Sequence, residues 1–341
     1  MSPADAVAAI MFAAVILYAV FGGADFGSGV WDLTAGDAKK GARLRRLIDH
    51  AIGPVWEANH VWLIFVLVLL WSGFPEPFTD LVQTLAIPLW FAGLGIVLRG
   101  AGFAFRKYSP TLRWAQTAGV VFAASSLLTP FFLGAIAGAV ASGRVPADGD
   151  AGLWTSWLSA TSILGGVLAV ATCTFMAGLL LAAEAETLGE ADLAEELRRK
   201  TLIGGVVTGA IALAGIPILV VDDETLVDGL LGRGLPVILA SGIAGLLTLR
   251  FLQQRRLRHA RISGAIAVAT VVAGWGVAQY PWILVDQTEI ADGAGARATL
   301  VGLLIASGIA AALVVPALLL LYRLADTNVV GEVKEPASPQ A

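Results

Sequence analysis

Two short stretches carry the residues of this sequence that could do chemistry. Phe21-Gly22-Gly23-Ala24-Asp25-Phe26-Gly27-Ser28-Gly29 sets one carboxylate among four glycines. Gly53-Pro54-Val55-Trp56-Glu57-Ala58-Asn59-His60-Val61-Trp62 gathers a carboxylate, an amide, an imidazole and two indoles. Both stretches border or enter long apolar runs. An ionisable group in hydrocarbon costs at least about 2.5–3.5 kcal/mol, so it usually marks an ion or proton path or a ligand contact. A carboxyl can take up and release a proton there, and an imidazole can relay one through its two nitrogens. The other reading of Asp25, Glu57 and His60 is an interhelical hydrogen-bond cluster that only holds helices together. The residues alone leave both readings open.

The elements that must position these groups are membrane spans. Hydrophobic residues make up 57% of the 341 positions and charged residues only 14%, against about 25% in a soluble domain. Mean hydropathy is +0.80. No soluble fold could cover itself with so few polar residues, so the chain reads as an all-α, polytopic membrane protein. Runs free of Asp, Glu, Lys and Arg fall at 6–24, 58–75, 81–98, 114–143, 151–183, 201–221, 234–249, 262–285 and 298–322. A helical span needs about 20 apolar residues, which predicts nine spans. Barrel strands would be shorter and alternating. The 39 glycines suit close helix contacts in a bilayer. Pro88, Pro130 and Pro316 fall within spans and predict kinks.

Basic residues set the expected orientation. Of the 22 Lys and Arg, 19 fall on one alternate set of flanks and only Arg144, Arg233 and Arg297 on the other. The positive-inside rule puts the first set, and the C-terminus, in the cytoplasm, with the N-terminus outside. The start lacks a basic n-region and reads as a retained span rather than a cleaved signal. Residues 184–200 read as a charged helical extension of the fifth span, and 327–341 as a polar, disordered tail after a single transmembrane domain at 1–326.

In this frame the first span leaves the membrane near Asp32 and the second enters near His50. Asp25 and Glu57 each lie seven residues from those ends, about 10 Å into the membrane. His60, three residues past Glu57, shares its helix face about one turn deeper. The three predict a ladder running from the cytoplasmic side towards the midplane.

Other residues carry plainer expectations. The glycines around Asp25 follow no strand, so they read as helix packing and not as a nucleotide loop. Arg99, at a cytoplasmic helix end, is expected to snorkel to the interface. Gln279-Tyr280-Pro281-Trp282 reads as a helix stop within an aromatic belt. Cys173 reads as a buried structural thiol. Haem ligation needs His, Met or Cys, and of His50, His60 and His259 only His60 lies in a span. That argues against a multi-haem oxidase built from this chain alone. No metal site and no basic nucleic-acid patch is apparent.

At its two polar stretches the sequence resembles subunit II of the cytochrome bd-type quinol oxidases. Gly23-Ala24-Asp25-Phe26-Gly27-Ser28-Gly29 matches that family's Gly/Asp/Phe-rich motif. Pro54-Val55-Trp56-Glu57-Ala58-Asn59-His60-Val61-Trp62-Leu63-Ile64 matches its second-span motif, although several members carry Asp at Glu57 and many carry Gln or Glu at His60. Arg99-Gly100-Ala101-Gly102-Phe103-Ala104-Phe105-Arg106 and Tyr280-Pro281-Trp282 match two more of its features. The resemblance implies two four-helix bundles plus a peripheral helix. It implies a haem-free subunit in a bacterial cytoplasmic membrane, packed against a haem-bearing subunit I with haems b and d, and with a small single-span accessory subunit as a further partner. Glu57 would carry protons from the cytoplasm towards the oxygen-reducing haems, supported by Asp25, His60 and Asn59. Trp56, Arg99 and Trp62 would be contacts for a structural quinone or for the partner. The rivals are a proton-coupled secondary transporter and a purely structural subunit.

Overall fold

A computed structural model describes residues 2–37, 39–53, 56–108, 112–149 and 151–326; at 56–58, 106–108, 112, 113, 115, 321, 322 and 324–326 it describes the backbone only. The expected tail at 327–341 therefore lies outside the described residues. Twelve helices follow one another: α1 Pro3–Thr34, α2 Ala42–Ile52, α3 Trp56–Gly73, α4 Pro75–Thr84, α5 Ala86–Tyr108, α6 Leu112–Ala141, α7 Ala160–Thr187, α8 Ala191–Asp222, α9 Glu224–Leu231, α10 Leu235–Gln253, α11 Leu257–Gln279 and α12 Arg297–Asp326. Strands β1 Trp282–Leu284 and β2 Thr288–Glu289 form a small antiparallel hairpin between α11 and α12.

Among the described residues, eight helices are long and apolar enough to cross a membrane. A ninth span is counted if α3 and α4 are taken together, but they bend by 118° at their junction. The bend has a local cause. Phe74 is fully buried at the corner, and Pro75 opens α4 at a position where its missing N–H costs nothing. The protein is thus an all-α polytopic membrane protein with about nine spans.

Several run boundaries differ from the apolar pattern. Residues 81–84 belong to α4, α7 begins only at Ala160, and α11 stops at Gln279. Ser159 caps α7 by accepting the Ser162 N–H at 3.1 Å. The helix stop expected at Tyr280-Pro281 is present, but the apolar residues beyond it pair as β1. The charged stretch 184–200 is not one helical extension. Gly189, at φ +75°, takes a left-handed conformation open to glycine, and the Glu190 N–H bonds back to the Ala185 carbonyl. The chain therefore turns between α7 and α8 there. Nor is the first connection plain loop. Within it, α2 buries Leu44, Leu47, Ile48 and Ile52 at i, i+3, i+4 and i+8.

The buried core lies along α1. Trp31 packs with Met176, Leu179 and Leu181 of α7 and with Ile48 of α2, while Val7 near the other end packs with Leu69, Phe74 and Leu300. Close approach depends on glycine. A Cβ at Gly27 would sit 1.9 Å from the Cys173 carbonyl oxygen of α7, so the two backbones meet there directly. Cys173 itself is a buried free thiol.

Candidate functional site

Asp25 projects from the last third of α1 and is 0% exposed. Its partner is Arg99 of α5, also inside the protein at 1% exposure. Arg99 Nη1 donates to Asp25 Oδ2 at 3.0 Å, and Nη2 donates to Oδ1 and to the Asp25 backbone carbonyl at 2.8 Å each. Nε donates to Ser126 Oγ of α6 at 3.0 Å. The pairing is a two-pronged guanidinium–carboxylate contact, the strong geometry for such a pair. Two rings pack against the guanidinium, Phe26 at 5.1 Å and Phe122 at 4.8 Å from ring centre to Cζ.

Small residues let three helices converge on this pair. A Cβ at Gly29 would sit 2.3 Å from Ser126 Oγ, and one at Gly102 would sit 2.8 Å from the Phe122 backbone nitrogen. Substituting either glycine would push α6 away from α1 or from α5. The glycines around Asp25 thus act as helix packing, as the sequence predicts. Arg99 departs from expectation. It does not snorkel to the interface, because a buried carboxylate offers its charge better compensation than water at the end of a strained side chain.

His60 occupies a separate but adjoining place. Its ring meets Phe26 edge-on at 5.8 Å and tilts against Tyr18 at 6.3 Å. Phe26 therefore touches the guanidinium and the imidazole at once. Asn59 is buried beside His60 on α3, and Trp62 is half-buried one turn on. The side chains of Glu57 and Trp56 lie outside the described residues. Of the expected ladder, the structure places Asp25 with Arg99 and Ser126, and His60 with Phe26 and Tyr18.

A second polar cluster, not singled out in the sequence, sits where α8 breaks into α9. Arg144 pairs with Asp222 at 2.6 Å, and Thr161 donates to the same carboxylate at 2.6 Å. Thr225 donates to Asp286, in the turn between β1 and β2, at 2.9 and 3.0 Å. Asp223 caps α9, accepting the Leu226 N–H at 2.9 Å through Oδ1. Its Oδ2 is buried without a hydrogen-bond partner among the described residues. Burial, with Asp286 and Asp222 nearby, pushes its pKa up to about 6. The one available signal was Asp222-Asp223-Glu224 closing an apolar run, and acids at a span end are ordinarily solvated.

Comparison with known proteins gives the family of the chain. A model of the family described as cytochrome bd terminal oxidase subunit II matches residues 4–325. A Bacillus subtilis (strain 168) protein named cytochrome bd ubiquinol oxidase subunit 2 is 29% identical over 175 residues, covering 50% of this chain and 51% of that protein. A second from the same organism, named putative cytochrome bd menaquinol oxidase subunit II, is 26% identical over 204 residues, covering 58% and 57%. These matches thus span a little over half the length of the curated relatives. In structure, the chain superposes on a chain of the bd oxidase from Geobacillus thermodenitrificans with a TM-score of 0.81, at 24% identity, covering 95% of this chain and 98% of that one.

Proposed function

The chain belongs to the cytochrome bd terminal oxidase subunit II family, and from that premise we propose that it is the haem-free second subunit of a bacterial quinol:oxygen oxidoreductase. It stabilises a haem-bearing subunit I, where haems b and d reside, and supplies a proton-uptake path from the cytoplasm to the oxygen-reducing site. The family match over nearly the whole chain carries this reading. The 19-to-3 division of basic residues supports an N-terminus outside and a C-terminus inside the cytoplasmic membrane. Residues 1–326 act as one domain of two four-helix bundles, with α12 as the peripheral helix.

In this reading Glu57 is the proton carrier. Asp25 supports it as a fixed charge, since both its oxygens are held by Arg99. His60 and Asn59 continue the polar route on α3. Haem ligation stays with the partner: His60 is packed between aromatic rings, and His50 and His259 are exposed at helix ends. Trp62 and Trp56 are the contacts for a structural quinone or for subunit I, and Arg99, committed to Asp25 and Ser126, acts as an internal tie. A small accessory subunit completes the assembly.

The test is Glu57→Gln in the assembled complex. Oxygen reduction and cytoplasmic proton uptake should fall together by about 100-fold or more, within the range for losing a positioned proton-transfer group, while the haem spectrum persists. Wild-type rates would sink the proton-path reading. The closed Asp25–Arg99 pair favours a purely structural subunit as the second reading, and that same result would select it.

A further inference from the structure

The basic residues of this chain are not all handled alike. Near α1 and α2, Arg45 pairs with Asp32 at 2.6 Å and Arg43 pairs with Glu190. At the start of α8, Arg198 and Arg199 share Glu195 at 2.7 and 2.9 Å, and Lys200 meets Glu196 at 2.6 Å. The turn joining α10 to α11 is different. Arg250, Arg255, Arg256, Arg258 and Arg261 are all exposed there. Arg255 reaches Glu195 at 3.4 Å, a carboxylate already shared by two arginines. No ion pair is seen for Arg250, Arg256, Arg258 or Arg261 among the described residues, and the sequence holds no Asp or Glu between Asp228 and Asp286. Membrane topology requires basic residues on one side. It does not require that they be left without counter-charges.

The residues just inboard of these arginines complete a pattern. On α10, Leu246 and Ile243 follow Arg250 at helical spacing and are 70% and 60% exposed. On α11, Ile262 and Ile266 follow Arg258 at intervals of four and are 54% and 49% exposed. Each helix therefore offers a charged head position and an apolar stripe running from it towards the membrane centre. A soluble anion would use only the arginines. An amphiphile with an anionic head uses both.

We propose that the α10–α11 turn is a binding surface for an anionic phospholipid, with the phosphate among Arg250, Arg256, Arg258 and Arg261 and the acyl chains along the two stripes. A basic residue near a membrane surface contributes about 1 kcal/mol towards anionic lipid, or about fivefold in affinity for each arginine. The attraction weakens with salt. This surface is independent of the Glu57 route.

The test is arginine modification by phenylglyoxal in the purified native complex, read peptide by peptide in a mass spectrometer. Once the complex is stripped of phospholipid in detergent, Arg256, Arg258 and Arg261 should react, and phosphatidylglycerol mixed into the micelles should protect them. Phosphatidylcholine and inorganic phosphate should not. In Arg258→Gln, phosphatidylglycerol retained through purification should fall about fivefold. Equal protection by both lipids, or protection by inorganic phosphate alone, overturns the proposal. So does a failure of these arginines to react once the complex has been stripped of phospholipid in detergent, which would mean that protein covers the turn.

Discussion

Asp25 and Asp223 are both carboxylates withdrawn from water, at 0% and 6% exposure, and the protein treats them in opposite ways. Asp25 lies within an apolar helix, more than two turns from its nearer end. Both its oxygens and its own carbonyl receive N–H groups from Arg99, whose remaining reach goes to Ser126 and to two aromatic faces. Asp223 lies one residue past the end of α8. One oxygen caps a helix, the other has no hydrogen-bond partner among the described residues, and its charged neighbours include two more aspartates. Deep in the apolar layer, only a fully compensated charge is tolerable. At a helix end, water is close enough to leave a carboxylate half-compensated and able to titrate near neutrality.

The largest expected effect comes from breaking the compensated member of this comparison. Arg99→Leu leaves the Asp25 carboxylate buried and uncompensated, at a cost of about 3–5 kcal/mol. Assembled protein in the membrane should fall to a small fraction of wild type. Adding Asp25→Leu removes the orphaned charge and should restore part of that yield, because a buried pair replaced by apolar groups is often neutral. If Arg99→Leu accumulates and melts like wild type, the pair does not hold α1 to α5.

How far this site was legible in the sequence follows from the same physics. Asp25 stood out because a carboxylate in an apolar run is improbable without a function or a partner. The glycines beside it gave the packing correctly, since their spacing on one helix points to close approach. Arg99 was visible but misplaced: a basic residue near a span end is compatible with snorkelling, and only the convergence of α1, α5 and α6 decides otherwise. A carboxylate known to be buried demands a counter-charge, and that requirement could have drawn Arg99 inward. The number of spans was legible because hydrophobic length and charge alternation constrain it jointly. The bend between α3 and α4, the turn at Gly189 and the β1–β2 hairpin were not, because each depends on a local backbone choice that composition alone does not fix.

The uncompensated member should reveal itself through pH. Folding raises the Asp223 pKa from 3.8 to about 6. Below the unfolded value both states are protonated, and the folded corner keeps its full stability. As pH rises through about 6 the folded state gains a poorly compensated charge beside Asp222 and Asp286, with Arg144 engaged by Asp222, and stability falls. Partial solvent screening holds the loss to about 1 kcal/mol. Asp223→Asn keeps a good helix cap but has nothing to titrate. Hydrogen exchange of the α9 amides should therefore speed up between about pH 4 and about pH 6 (from the unfolded to the folded pKa) in the wild type, once corrected for intrinsic exchange, and stay level in the variant. A wild type with no such step would place Asp223 with the compensated carboxylates.

The smallest effect is expected at Thr225, whose hydroxyl ties Asp286 to the start of α9 in an exposed setting. Thr225→Val removes one hydroxyl donor, shared between the two Asp286 oxygens, that water can replace, so the stability loss should be about 0.5 kcal/mol. Its value lies in what it does to the comparison. With its tether gone, Asp286 can swing towards solvent, and the repulsion that it exerts on Asp223 should weaken. The pH step in α9 exchange should then move to lower pH than in the wild type. An unmoved step would mean that burial and Asp222 raise Asp223 without its help, leaving Asp286 as a bystander at the corner. A step moved to higher pH would mean that Asp286 settles closer to Asp223 once released, so that Thr225 is what holds the two carboxylates apart.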